Sequence, residues 1–314
     1  MCVMIDTLTA ELLCPNGDGL DTARYLDAAN ERVEKESGRE TFRGFTGGLE
    51  ISGDAYRIWI RKGSLSKYYL GNNFENMNRF EAWEAVQMIS DTIHKNMNPA
   101  QIRRLDFGGT MVMNSPPSEY LATFGNFPRY RRFDVSKGQT LQTITYKTAA
   151  AEIVTYDKGK EAGRATPEKY QGVNALRFEL RILKGITKRM NRPRPCVLGD
   201  LSDERFCNDL AGLWLQNLHK INKLDTNKIE TGVIMGERNL TEAEIKNLGL
   251  LLLVKTHGLK LFEASLKDKE QLRRARISLA AAKKCEERLL RSDRSDLITE
   301  LNQKATELAT EWMQ

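Results

Sequence analysis

Three strand-like segments of the sequence each carry one side chain that could take part in phosphate chemistry. Asp106 lies in RRLDFGGTM, Glu179 in ALRFELRI and Tyr156 in EIVTYD. Side chains two positions apart lie on the same face of a strand, so each segment can direct its named residue to one face of a sheet. If the three strands are neighbours, the two carboxylates and the tyrosine converge there.

These residue types match the needs of phosphodiester transfer. Two carboxylates without a histidine partner favour a hard cation such as Mg²⁺ or Mn²⁺, which would polarise the phosphate. A tyrosine hydroxyl with a pKa of about 10 is a weak nucleophile at neutral pH and needs a neighbouring cation. Lys158 and Arg177 are placed to supply it. We therefore predict catalytic roles for Tyr156, Lys158 and Arg177, and metal binding by Asp106 and Glu179.

The same alternation of charged and apolar residues is also typical of a sheet face that is merely solvated. The pattern alone does not separate the two interpretations.

The composition is that of a folded globular protein, with 40% hydrophobic and 29% charged residues. The formal net charge of +6 permits nucleic-acid binding without requiring it. The longest apolar run, LGLLLLV, is shorter than the roughly 18 residues of a membrane-spanning helix. The five cysteines form no CxxC pair. We therefore predict a cytoplasmic protein with free thiols and no membrane partner.

The pattern of the chain changes near residue 190. Before it, runs rich in β-branched and aromatic residues alternate with Gly, Asn and Asp. The segment NRPRPCVLG, residues 191–199, has two prolines among basic residues and is predicted to be a linker. We predict an α+β fold, with a central, mostly antiparallel sheet and flanking helices over residues 1–190 and a helical C-terminal region over residues 200–314.

One helix of the first region can be predicted in detail. The segment NRFEAWEAVQMISDTIHKNM should begin with Asn78 as its cap. Its predicted apolar face consists of Phe80, Trp83, Val86, Met88 and Ile89.

Two basic segments are candidates for DNA contacts. FPRYRRFDVSKG interleaves arginines with aromatic residues, a pattern suited to gripping a phosphate backbone and stacking on bases, although a basic loop with its aromatics tucked beneath it looks the same. ITKRMNRPRP is the second. The predicted DNA-binding residues are Arg129, Tyr130, Arg131, Arg132, Lys188 and Arg189.

Four motifs, MIDTL, IRRLDFG, EIVTYDKGKE and LRFELR, occur in an order and at a spacing that resemble one family. They are similar to those of the filamentous-phage replication initiators, the gene II and gene X family. The resemblance covers about residues 4–185.

This resemblance implies a rolling-circle replication initiator. Such an enzyme nicks one strand of a double-stranded phage or plasmid origin, becomes joined to the 5′ phosphate through a tyrosine, and later rejoins the displaced strand. The nicking tyrosine would be Tyr156, followed by Lys158 and Glu161. Asp106 and Glu179 would be the family's two acids. The implied setting is a bacterial host, with its helicase and polymerase as partners.

Related plasmid initiators place their tyrosine one strand earlier, which makes Tyr146 in QTITYKT the alternative nucleophile. Two other functions also stay open. One is a replication or regulatory protein that binds DNA without cutting it. The other is a metal-dependent nuclease that uses water and forms no covalent intermediate.

Overall fold

The computed structural model describes residues 4–33, 38–138, 140–223, 241–266, 268–290 and 296–313. The strands are β1 (Met4–Leu13), β2 (Asp27–Val33), β3 (Glu40–Thr46), β4 (Leu49–Asp54), β5 (Arg57–Lys62), β6 (Gln101–Val112), β7 (Arg131–Lys137), β8 (Thr140–Lys147), β9 (Ala151–Asp157) and β10 (Ala175–Ile182). The α-helices are α1 (Leu65–Leu70), α2 (Arg79–Thr92), α3 (Pro117–Thr123), α4 (Lys158–Ala162), α5 (Ile186–Arg189), α6 (Glu204–Lys220), α7 (Glu242–His257), α8 (Leu259–Ala264), α9 (Lys269–Leu290) and α10 (Asp296–Met313).

All ten strands form one sheet in the order β2-β3-β4-β5-β1-β6-β10-β9-β8-β7. Each neighbouring pair is antiparallel. The predicted α+β class, with an antiparallel sheet and a helical C-terminal region, is confirmed. β6, β10 and β9 lie side by side, so the three segments singled out in the sequence are neighbours.

The apolar face of this central part of the sheet is covered by α6 and α10. The indole N–H of Trp214 donates a hydrogen bond to the backbone carbonyl of Phe178, at 2.8 Å. The rings of Phe178 and Trp214 meet edge to face, and Trp312 packs on Trp214 with ring centroids 4.8 Å apart. Such contacts between large aromatic side chains stabilise the seam between sheet and helices.

A single hydrophobic core joins the sheet to these two helices. Within the predicted linker 191–199, Cys196 and Leu198 are buried in that core. The division of the chain into domains stays a prediction. A smaller cluster of Leu251, Leu279 and Ala282 packs α7 against α9.

Helix α2 begins as predicted but buries a different face. The Asn78 side chain accepts hydrogen bonds from the backbone of Phe80 and Glu81 and forms a capping box with Glu81. The buried residues Ala82, Ala85, Val86, Ile89 and Ser90 follow the spacing of one helix face.

Of the predicted apolar face, Val86 and Ile89 are buried, whereas Phe80, Trp83 and Met88 are exposed. Small alanines allow α2 to lie close to the layer beneath it, and the large side chains turn outward.

Gly109 lets α10 approach the sheet closely. A Cβ atom at this position would lie 2.5 Å from the Leu308 side chain and 2.6 Å from the Trp312 ring. We expect Gly109→Ala to lower the free energy of unfolding by about 1–3 kcal/mol, because the added methyl overfills the seam. Urea denaturation measures this. Gly249→Ala, where a Cβ meets nothing within 4 Å, is the matched control and should not destabilise. Equal stabilities of the two variants would contradict this packing.

Candidate active site

The candidate site lies on the polar face of β6, β10 and β9. In the strand register, Arg177 is opposite Tyr156 on β9, and Arg181 is opposite Asp106 on β6. Glu179 lies between the two arginines on the same face of β10. The structure thus brings together the tyrosine and both carboxylates that were singled out in the sequence.

Glu179 is the centre of the hydrogen-bond network. Its Oε1 accepts from the Tyr156 hydroxyl at 2.7 Å and from the Arg177 Nε at 2.5 Å. Its Oε2 accepts from the Arg181 Nη2 at 2.8 Å. Burial opposes ionisation of this carboxyl, but the charges of Arg177 and Arg181 outweigh it and lower its pKa to about 2. Glu179 is therefore ionised although it is only 1% exposed.

Arg177 is fully buried and takes further partners from distant parts of the chain. Its Nη1 donates to the backbone carbonyl of Asn73 at 2.9 Å and to the hydroxyl of Thr110 at 3.3 Å. Its Nη2 lies 3.4 Å from an Asp6 oxygen. Asp6 and Asn73 were not singled out in the sequence, although Asp6 is the acid of the MIDTL motif.

Lys158 follows directly after β9, where the chain turns into the single turn of α4. Asp157 caps this turn by accepting a hydrogen bond from the backbone N–H of Lys160 at 3.1 Å. The buried ammonium of Lys158 donates to the Asn73 side chain at 3.0 Å and to Glu161 at 2.7 Å. It lies 5.9 Å from the centroid of the Tyr156 ring. Burial lowers the pKa of Lys158.

The Tyr156 hydroxyl is protonated in this arrangement. Burial raises its pKa, and the negative charge of Glu179 raises it further, against the opposing effect of Arg177. The residue is 7% exposed. Nearby, Phe74 stacks on Tyr170 and lies 5.1 Å from the Lys158 ammonium.

The two predicted metal ligands are already fully paired. Both oxygens of Asp106 accept hydrogen bonds from Arg104, at 2.9 and 2.6 Å, and both oxygens of Glu179 accept from arginines. Within the described ranges, no group of three His, Cys, Asp or Glu side chains could hold a metal ion. As arranged here, the residues do not fit a metal site, and the need for Mg²⁺ or Mn²⁺ stays a prediction.

Tyr146, the alternative nucleophile, lies on the opposite face of the sheet. The register pairs it with Ile153, and its hydroxyl donates to the backbone carbonyl of Gly125 at 2.6 Å. The side chain is completely buried beside Phe127, and burial raises its pKa. The structure therefore does not bring Tyr146 to the cluster around Glu179.

The basic segment at β7 is partly a structural element. Arg132 pairs with Asp134 at 2.7 Å and also donates to the backbone carbonyls of Phe124 and Gly125. The Tyr130 ring stacks on Phe127, with centroids 4.5 Å apart. Arg132 and Tyr130, both predicted to bind DNA, therefore make contacts that hold this part of the fold together.

Arg129 and Arg131 are exposed, as is Lys188 on α5, whereas Arg189 is half-buried. The register places Arg131 opposite Lys147, which is opposite Glu152 on β9. Arg131 is therefore on the same sheet face as the candidate site. Lys188 and Arg189 belong to α5, which follows the C-terminal end of β10.

The charge of Glu179 should make stability depend on pH. Its pKa falls from 4.5 to about 2 on folding, so ionised Glu179 contributes about 3 kcal/mol above pH 4.5, and this is lost as the pH falls toward 2. We expect Glu179→Gln to be less stable at neutral pH, with a deficit that shrinks over this acidic range. Urea denaturation across pH tests this. Glu168→Gln, which changes an exposed carboxylate, is the control. A deficit that is constant with pH would contradict the assignment.

Residues 4–204 match the N-terminal model of a family of replication-associated proteins, that of the phage gene II protein. The comparison with curated proteins finds no significant match. Among solved structures, a di-domain ARO/CYC protein, BexL from the BE-7585A biosynthetic pathway, matches at 11% identity over 62% of this chain and 76% of that one. Its TM-score is 0.18.

The family match spans β1 to β10 and reaches the start of α6, so it includes every residue of the candidate site. Among the described residues, no helix is long and apolar enough to cross a membrane. The chain therefore belongs to this family of replication-associated proteins, the gene II replication initiators of filamentous phages.

Proposed function

We propose that this protein nicks and rejoins one strand of an origin DNA, with Tyr156 as the nucleophile. The observation that carries the proposal is the hydrogen bond of 2.7 Å from the Tyr156 hydroxyl to Glu179, beside two buried cations and one half-buried cation. A nucleophilic hydroxyl needs an acceptor for its proton and positive charge for the phosphate it attacks. Arg177, Arg181 and Lys158 supply the charge.

The proposed first step exchanges one phosphoester for another. The Tyr156 oxygen forms a bond to the phosphorus, and the bond from phosphorus to the 3′ oxygen breaks. The hydroxyl proton passes to Glu179 and then to solvent, while the leaving 3′ oxygen takes a proton from solvent. The products are a 5′-phosphotyrosine and a free 3′ hydroxyl. Rejoining is the same exchange in reverse.

The low pKa of Glu179 has a consequence for this step. A carboxylate with a pKa of about 2 is ionised at every physiological pH, and is therefore always ready to accept a proton, but it is a weak base. Most of the activation must then come from the cations that stabilise charge on the phosphate. Burial of Tyr156 also means that the substrate must displace some of the groups that cover it.

The wider setting is part of the same proposal. The substrate would be a double-stranded phage or plasmid origin in the cytoplasm of a bacterial host, with the host helicase and polymerase unwinding and extending the nicked strand. A requirement for Mg²⁺ or Mn²⁺ is proposed separately, and no step above depends on it. Nicking that continues in excess chelator would exclude this requirement.

The decisive experiment is a covalent-adduct assay. The protein is mixed with supercoiled origin DNA and denatured, and the 5′ ends are examined for attached protein. We expect Tyr156→Phe to abolish the adduct, because the variant lacks the attacking oxygen. Tyr146→Phe is the matched control, since it also removes one buried hydroxyl but on the other sheet face, and it should retain the adduct. Loss of the adduct only in Tyr146→Phe would overturn the assignment.

Burial of the Tyr156 hydroxyl and its raised pKa favour a second candidate function, DNA binding without cutting. The same assay separates the two functions. Binding to origin DNA with neither nicking nor adduct in the unmodified protein would support this second function. Nicking without an adduct would instead indicate water as the nucleophile.

A further inference from the structure

A cleft of about 550 Å³ lies between α6 and the turn that follows α5. The charged residues that line it are Arg189, Arg192, Arg205 and Asp209. Three arginines against one aspartate give the cleft an excess of two positive charges. Because α6 covers the apolar face of the sheet, this cleft and Tyr156 are on opposite sides of the sheet.

Two of the three arginines have no partner in the part of the chain that the structure describes. Neither the Arg189 side chain nor the Arg205 side chain makes a hydrogen bond or an ion pair there. Arg189 is half-buried and Arg205 is exposed. This differs from the candidate active site, where every arginine is paired with a carboxylate.

The third arginine is held in place but keeps an unused donor. One terminal nitrogen of Arg192 lies 3.0 Å from an Asp209 oxygen, and its guanidinium lies 5.3 Å from the centroid of the Phe206 ring. Its Nε is buried and has no acceptor among the described residues. Buried donors of this kind are rare in folded proteins unless a water, an ion or a ligand completes them.

We propose that this cleft is a phosphate-binding site. Guanidinium groups bind phosphate oxygens through pairs of N–H donors, and the side chains of Arg189 and Arg205 have theirs unused among the described residues. The Asn208 and Gln216 side chains also line the cleft and can donate hydrogen bonds. The phosphate would come from the backbone of a nucleic acid or from a free phosphate compound. Binding of a nucleic-acid backbone rests on the proposed function, in which DNA is the substrate. Binding of a free phosphate compound does not.

The size of the cleft and its surroundings are compatible with a nucleic-acid backbone. A volume of 550 Å³ is larger than one phosphate group needs, and the exposed Lys188 adjoins Arg189 in the sequence. A site here would hold DNA on the helix side of the sheet, away from Tyr156. It would therefore contribute to affinity without contacting the reacting phosphate.

The test uses the full chain with the double variant Arg189→Ala/Arg205→Ala. In one arm, binding to a short duplex without an origin is measured by anisotropy over a range of salt concentrations. In the other, inorganic phosphate is added and the thermal unfolding midpoint is followed. Arg273→Ala/Arg274→Ala is the control, because it removes the same charge from exposed arginines that pair with Glu270.

If DNA is the source, the double variant should bind the duplex more weakly, and the slope of log affinity against log salt should fall by about two. Arg189→Lys/Arg205→Lys should keep most of that slope. If a free phosphate is the source, phosphate should raise the midpoint of the unmodified protein and of the control but not that of the double variant, with duplex binding unchanged in all three. Without phosphate the midpoints should agree, since neither arginine has a partner in the described structure.

The proposal is overturned if the double variant matches the control in both arms. Because the duplex carries no origin and no cleavage is scored, this result is independent of the covalent-adduct assay. A failed adduct assay would overturn the nicking function and leave this site intact, and the reverse also holds.

Discussion

The buried charge of Glu179 is the constraint on which the rest of the site depends. A carboxylate that has lost its water is stable only if it is paired and hydrogen-bonded. Here the partners are Arg177, Arg181 and the hydroxyl of Tyr156. Arg177 is fully buried and needs acceptors of its own, which come from β1, from β6 and from the segment before α2. Only a strand in the middle of the sheet can collect partners from both sides, and β10 is such a strand.

The alternation of side chains along the strands then decides which residues can reach this charge. β8 and β9 are neighbours, yet Tyr146 and Tyr156 face opposite sides because the register pairs Tyr146 with Ile153 and Tyr156 with Thr143. A shift of one residue would exchange the two faces. The packing of Trp214 on β10 fixes which face of the sheet is apolar. The strand register that places apolar side chains beneath α6 and α10 therefore also directs Tyr156 to the polar face. Core packing and site geometry are therefore set by the same contacts.

Much of this was predictable from the sequence, and the failures have physical causes. The strands and their polar faces followed from period-two patterns, which are local. The pairing of Glu179 with arginines was also visible, since Arg177 and Arg181 are its same-face neighbours, whereas its role as a metal ligand stays a prediction. Asp6 and Asn73 were not predictable, because they lie 171 and 104 residues from Arg177 and only the tertiary fold brings them close. The exposure of Phe80, Trp83 and Met88 on α2 was not predictable, because an apolar pattern alone does not show which side chains fit against the layer beneath the helix.

The pairing of every cation in the site determines how a phosphate can enter under the proposed function. An incoming phosphate must replace a carboxylate as acceptor, and its oxygens suit the same donors. Releasing Glu179 from Arg177 would leave a buried, unpaired charge, which is strongly unfavourable. Releasing Glu161 from Lys158 is easier, because the Glu161 side chain is already 52% exposed and returns to water. Under the proposed function, the phosphate would therefore enter at Lys158, beside the Tyr156 ring, while the buried pairs would keep the tyrosine in place.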